Sequence, residues 1–273
     1  LKNIIKLNQN YFEQFINSLT IRKMDKQLNI SLNDRSKNPI PDGVKIYRNK
    51  LNKKILGIID KVFEENNFFI KESIDIFKFI NDDFYNLIKE YLGQDVGLVR
   101  IEIDNIEIEN RVSLDVSEKF HTDNQGHMLK LYMCCEGYGS ISTNYLPGTQ
   151  LKLYKPNYFE NLRFIKNTLP KSYKTEKKID YFTGDCALFD TNIKHRGNYS
   201  NVKNHKRKSL VFSFMNVEKA NKLGFKEIPQ FMIFKAKKAP YRDGIISPNF
   251  SNLPENLKDK FYSYKFFIKD WIK

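Results

Sequence analysis

Two textures divide the chain. Up to about Gly93 the apolar positions recur with a helical period, most plainly in SIDIFKFINDDFYNLIKEYLG. There Ile76, Phe77, Ile80, Phe84, Leu87, Ile88 and Tyr91 fall on one stripe, and Gly93 supplies a stop. Such a stripe has to pack against another layer. From about Val96 the repeat shortens to two. LVRIEI, IEIENRVSL and MLKLYM alternate, CALFD is a compact apolar run, and RKSLVFSFM is rich in β-formers. Turn chemistry at LPGT (146–149) and TGD (183–185) separates the runs. The end, LPENLKDKFYSYKFFIKDWIK, carries a proline suited to an early helical position, with Leu257, Phe261, Tyr264 and Ile268 near helical spacing. No internal repeat or low-complexity linker interrupts the sequence. One domain over 1–273 is therefore expected: a mostly helical support over 1–93, a strand-rich core over 94–235 and a helical extension over 236–273. Many short strands with helices at both ends predict a mainly β (α+β) fold, a sandwich or barrel buttressed from outside by helices.

Composition is compatible with one sizeable core: 273 residues, of which 41% are hydrophobic and 14% aromatic. The three cysteines, Cys134, Cys135 and Cys186, have neither the density of a disulfide scaffold nor a C-x-x-C spacing, and are expected as buried thiols in a reducing, cytoplasmic setting. No run approaches the roughly 18 apolar residues of a membrane helix, and LKNIIKLNQN lacks the apolar block of a signal peptide. The net charge of +14 formally invites nucleic acid or an anionic surface. However, only nine of the 46 basic residues are arginine, and they are scattered among acids. A solvated lysine-rich surface is the simpler reading, and no nucleic-acid partner is expected.

The chemistry begins in KFHTDNQGHMLKLYM. On an extended strand His121 and Asp123 would project to the same side, with Thr122 turned away, which makes them candidate ligands of one metal. A third candidate, His195, lies in TGDCALFDTNIKHRGNYS, after a Gly-Asp turn, an apolar strand and a polar connector. Two histidines and one carboxylate form the facial triad that holds non-haem Fe(II) and leaves coordination positions open. A structural zinc site would be closed by four ligands, usually including cysteine. In the RKSLVFSFM strand, Arg207 and Ser209 share a face and suit a carboxylate, with Lys208 turned to solvent. Charge-assisted contacts of this kind are worth about 1.5–3 kcal/mol. His127 is expected across a loop from the triad and His205 on the surface. Asp185 and Asp190 read as turn and edge carboxylates, and the aromatics of FYSYKFF as a helix packing face. There is no phosphate-binding glycine loop and no Ser-centred elbow.

In their order, FHTDNQ, KLYMCCE, NYLPGTQ, TGDCALFDTNIKHRGNYS and RKSLVF, with YLGQD ahead of them, resemble the phytanoyl-CoA dioxygenase-like branch of the Fe(II)/2-oxoglutarate-dependent oxygenases over roughly residues 90–217. The resemblance implies a double-stranded β-helix, a cupin-like jelly roll. It implies His121, Asp123 and His195 as iron ligands, and Arg207 with Ser209 on the distal carboxylate of 2-oxoglutarate, with Tyr132 and Lys130 as further contacts. The implied cofactors are Fe(II), 2-oxoglutarate and O2. The implied reaction hydroxylates an unactivated C–H bond of a small molecule, with release of succinate and CO2. Related halogenases carry a small residue where Asp123 stands, so a hydroxylase is the closer match. The lysine-rich insert 155–179 falls where family members often build a lid. The basic surplus suits an anionic substrate. Two readings stay open beside this one: a cupin-like metalloenzyme independent of 2-oxoglutarate, and a non-catalytic jelly-roll binding protein.

Overall fold

The computed structural model describes residues 38–65, 67–69, 74–93, 96–108, 120, 122–123, 128–152, 175–198, 205–222, 233–235, 238–239 and 242–243. The expected C-terminal helix, with its aromatic face, lies outside these residues, as do His121, His127 and most of the 155–179 insert. The side chain of His205 is outside them too. None of the described helices is long and apolar enough to cross a membrane.

The elements run β1 (Val44–Tyr47), α1 (Lys53–Glu65), β2 (Asn67–Phe69), α2 (Ile74–Asp83), α3 (Tyr85–Leu92), β3 (Val96–Ile108), β4 (Leu129–Glu136), β5 (Tyr138–Tyr145), β6 (Lys177–Phe182), β7 (Cys186–Asp190), β8 (His195–Asn198), β9 (His205–Asn216), α4 (Val217–Lys222), β10 (Ile233–Lys235), β11 (Lys238–Ala239) and β12 (Arg242–Asp243). A large antiparallel sheet has the order β1-β7-β4-β9-β3-β12-β11, and a smaller one the order β6-β5-β8. Strand β10 pairs with β2.

The helices cover one face of the large sheet. Asn52 caps α1 by accepting from the Ile55 amide at 2.9 Å, and the helix buries Ile55, Ile59 and Val62. The stripe expected on one helix spans two. Asn81, Asp82 and Asp83 are poor helix formers whose side chains compete for backbone groups, and the helix breaks at Phe84. The stripe survives the break because Phe84 donates to Ile80 O and Ile88 to Phe84 O, each at 2.9 Å. Ile76, Phe77, Ile80, Phe84, Ile88 and Tyr91 all enter the main core with Leu131, Leu188 and Phe212. Phe77 meets the Phe212 ring edge-on at 5.8 Å.

LVRIEI and the start of IEIENRVSL form one strand, β3, with an irregularity between Leu98 and Arg100. The extra residue, Val99, shifts the side-chain phase by one. Val96 and Leu98 before it, and Ile101 and Ile103 after it, therefore all reach the same core. Strand β4 repeats the device between Cys134 and Glu136. KIY in β1 extends the sheet through β7, an addition to a region expected to be mostly helical. The turns fall where expected: Gly148 in LPGT and Gly184 in TGD adopt φ of 75° and 93°, conformations that glycine enters without steric cost. Lys177–Phe182, at the end of the insert, is strand β6.

The other face of the large sheet meets the small sheet. Ile179 and Tyr181 of β6 and Tyr145 of β5 pack with Ala187 and Phe189 of β7 and Cys134 of β4. All three cysteines are buried free thiols.

Candidate functional site between the sheets

Alternation sorts β4 and β9 cleanly. Leu129, Leu131 and Met133 face the helical core. Lys130, Tyr132 and Cys134 take the opposite face, toward the small sheet. On β9 the same rule turns Leu210, Phe212 and Phe214 to the helices, which leaves Arg207, Ser209, Val211 and Ser213 inward. The inward face is thus polar at the centre of the molecule.

His195 opens β8. Its Nδ1 lies 2.9 Å from Ile193 O, a contact that places a ring proton on Nδ1 and turns Nε2 to the opposite side. Phe189 packs edge-on against the ring at 4.7 Å. Nε2 faces Asp123 Oδ1 at 3.6 Å, too long for a hydrogen bond. Asp123 itself is not on a strand. It lies in the segment before β4, held by its amide donating to Thr191 O at 3.0 Å, while Thr191 N donates to Met128 O at 3.0 Å. The connector that leads into His195 therefore also fixes Asp123. Among the described residues no third His, Cys, Asp or Glu joins this pair; His121 is outside them.

Lys130 occupies the other side of Asp123. Its Nζ donates to Oδ2 at 3.1 Å and stands 3.6 Å from Glu102 Oε2. Burial works against the ammonium charge, but Glu102 and Asp123 outweigh it, and the net shift of its pKa is upward. Arg207 Nη2 donates to Asp104 Oδ2 at 2.7 Å, and the guanidinium lies 4.4 Å from the centre of the Tyr181 ring. Ser209 is fully buried, and its hydroxyl has no hydrogen-bond partner among the described residues beyond the weakly polar thiol of Cys134 directly across the ladder. Tyr132 packs between Tyr181 and Phe189, at 5.6 and 6.3 Å. Burial raises its phenol pKa, so it stays protonated at any working pH. Lys208 faces the other way and pairs with Glu136 at 3.0 Å, half exposed.

Asp123, His195 and Lys130 thus meet directly, and Tyr132, Arg207 and Ser209 line the same inner face. The site also contains two carboxylates that sequence reasoning missed, Glu102 and Asp104. RIEID alternates regularly, and acids in an alternating strand read as solvent-facing. Both are buried beside cations: Glu102 with Arg100 of its own strand at 3.2 Å and Lys130 of β4 at 3.6 Å, and Asp104 with Arg207 of β9. Asp185 and Asp190 serve the framework. Asp185 accepts from the Arg48 guanidinium and the Asn49 amide, and Asp190 from Tyr91 Oη and the Asn192 amide.

No family model matches the chain, and no curated protein matches it. Among solved structures it is similar to EctD from S. alaskensis with 2-oxoglutarate and 5-hydroxyectoine, at 12% identity and TM-score 0.51 over 78% of this chain and 87% of EctD. The same protein with bound Fe gives 11% identity and TM-score 0.50 over the same shares. EvdMO1 is 18% identical over 48% of this chain at TM-score 0.37, and the chain spans only 30% of its length. At these identities the likeness shows the fold, and the fold is a β-rich jelly-roll core with flanking helices.

Proposed function

We propose that the chain is an Fe(II)/2-oxoglutarate-dependent oxygenase of the phytanoyl-CoA dioxygenase-like kind that hydroxylates an unactivated C–H bond of a small-molecule substrate. The observation that carries this reading is the convergence of His195 Nε2 and Asp123 Oδ1, 3.6 Å apart in the interior of the jelly roll. One imidazole and one carboxylate, with the ring proton tied to a backbone carbonyl, are the donors a ferrous centre takes. His121, two residues before Asp123, supplies the third ligand in this reading.

The residues on the same inner face fit the co-substrate. Arg207 offers a permanent cation and Ser209 a buried hydroxyl with spare bonding capacity, both suited to a distal carboxylate. A solved neighbour with this fold holds 2-oxoglutarate, and another crystal of it holds Fe. Bound iron and 2-oxoglutarate supply the oxidising power, with O2 consumed and succinate and CO2 released. The chain's own part is positional. Lys130 holds Asp123 Oδ2 and leaves Oδ1 facing His195 Nε2, the two atoms that would hold the iron; Ile193 O sets the His195 ring, and Tyr132, Tyr181 and Phe189 exclude water from that side.

Anaerobic calorimetry with Mn(II) tests the metal centre: the wild type binds one ion, and His195→Ala or Asp123→Ala abolishes binding. Succinate release that requires both iron and added 2-oxoglutarate, in a screen of small-molecule acids and thioesters, tests the reaction. A wild type that binds no divalent metal, or a His195→Ala protein that binds it equally well, defeats the reading.

A further inference from the structure

The cation read as the co-substrate's anchor already has a counter-ion built into the fold. Arg207 and Asp104 have side chains only 3% and 7% exposed, and Nη2 meets Oδ2 at 2.7 Å. The pairing is diagonal: Arg207 stands opposite Ile106 and Asp104 opposite Ser209, so the guanidinium reaches along β3 toward the residue facing the serine. Asp104 therefore lies beside both groups that would receive a carboxylate.

We infer that Asp104 is a specificity-determining residue that competes with the co-substrate for Arg207 and so sets how strongly the site distinguishes a dicarboxylate from a monocarboxylate. This rests on the reading of the site as one for 2-oxoglutarate. A buried cation attracts an anion strongly only while its charge is uncompensated. Here an incoming distal carboxylate either displaces Asp104, leaving a buried carboxylate in search of a new partner, or settles beside it against like-charge repulsion. Either route cancels much of what Arg207 offers. The metal-binding end of the keto acid is unaffected by Asp104, so the competition acts on the distal carboxylate alone.

The test compares 2-oxoglutarate with 2-oxopentanoate, which keeps the keto-acid end and replaces the distal carboxylate by a methyl group. Calorimetry on the Mn(II)-loaded full chain is expected to place the two within about tenfold of each other in the wild type. Asp104→Asn keeps the volume and removes the charge. It is expected to tighten 2-oxoglutarate by about tenfold or more, the worth of one charge-assisted hydrogen bond, and to leave 2-oxopentanoate unchanged. A wild-type preference for 2-oxoglutarate of about a hundredfold or more overturns the inference even if the variant fails to fold. So does an Asp104→Asn protein that binds 2-oxoglutarate no more tightly than the wild type. In both of those cases keto-acid binding itself stands, and with it the proposed function. A wild type that binds neither keto acid overturns both.

Discussion

Tyr91, near the end of α3, donates its hydroxyl to Asp190, the last residue of β7, across the boundary between the helical layer and the large sheet. The other carboxylate oxygen accepts from the Asn192 amide at 2.8 Å, and Ile193 N donates to Asp190 O at 3.0 Å. The helical layer thus anchors the turn that leads to His195. Removing the hydroxyl leaves a buried carboxylate short of a donor, which costs about 1–3 kcal/mol. Tyr91→Phe is expected to lower the unfolding free energy by that amount, read as a lower urea midpoint with an unchanged m-value. It is also expected to weaken Mn(II) binding, because the 191–195 connector loses its brace. A variant as stable as the wild type would show that the bond is idle.

Phe77 of the helical layer is fully buried and edge-on to Phe212 of the sheet. Large-to-small changes at such positions lose the transfer free energy and leave a cavity, together about 3–5 kcal/mol for Phe→Ala. Phe77→Ala is expected to lose that much in equilibrium unfolding, and Phe77→Leu less than half of it. Neither substitution touches the polar inner face. Metal affinity in whatever fraction remains folded is therefore expected to be that of the wild type.

Much of the site is legible in the sequence because it depends on short-range rules. Arg207 and Ser209 share a face by the period of two alone, and the turn at TGD, followed by CALFD, delivers His195 to the end of a strand. What escapes is set by partners distant in sequence. Asp104 is drawn inward by Arg207, 103 residues later, and nothing near RIEID records that. The bulge at Val99 is equally silent, since an apolar residue at the extra position reads as continued pattern. Asp123 reaches its place without a strand, through a hydrogen bond from its backbone amide to Thr191 O rather than the pleat that spacing alone suggests. β1, at four residues, is too short to be distinguished from a loop until β7 pairs with it.

The cysteines give a prediction with a definite sign. Burial raises the Cys134 thiol to about 12, with the Arg207 charge pulling the other way. An unfolded thiol ionises near 9, so between about pH 9 and 12 the unfolded chain releases a proton that the native one keeps. Stability from this group is complete below about pH 9 and is lost as pH rises through 12, by about 1.4 kcal/mol per pH unit. Denaturant unfolding at pH 8 and pH 10 is expected to show a steeper loss in the wild type than in Cys134→Ala. At neutral pH the native thiols of Cys134, Cys135 and Cys186 are expected to resist a thiol-specific dye until the chain unfolds.

Lys130 separates two roles that its position allows. As a contact to 2-oxoglutarate it would be dispensable to the fold, and Lys130→Met would weaken the co-substrate alone. Its observed partners argue otherwise: Asp123 at 3.1 Å and Glu102 at 3.6 Å, with the lysine side chain 11% exposed. Taking away the cation strips Asp123 of its ammonium partner and leaves Glu102 with the Arg100 guanidinium at 3.2 Å, a loss of about 3–5 kcal/mol when a buried pair is broken from one side. Lys130→Met is therefore expected to be strongly destabilised without metal. A divalent ion restores positive charge beside Asp123, so saturating Mn(II) should raise the variant's melting temperature by more than it raises the wild type's. A variant that melts like the wild type, gains no more from Mn(II), and binds 2-oxoglutarate more weakly would return Lys130 to the co-substrate.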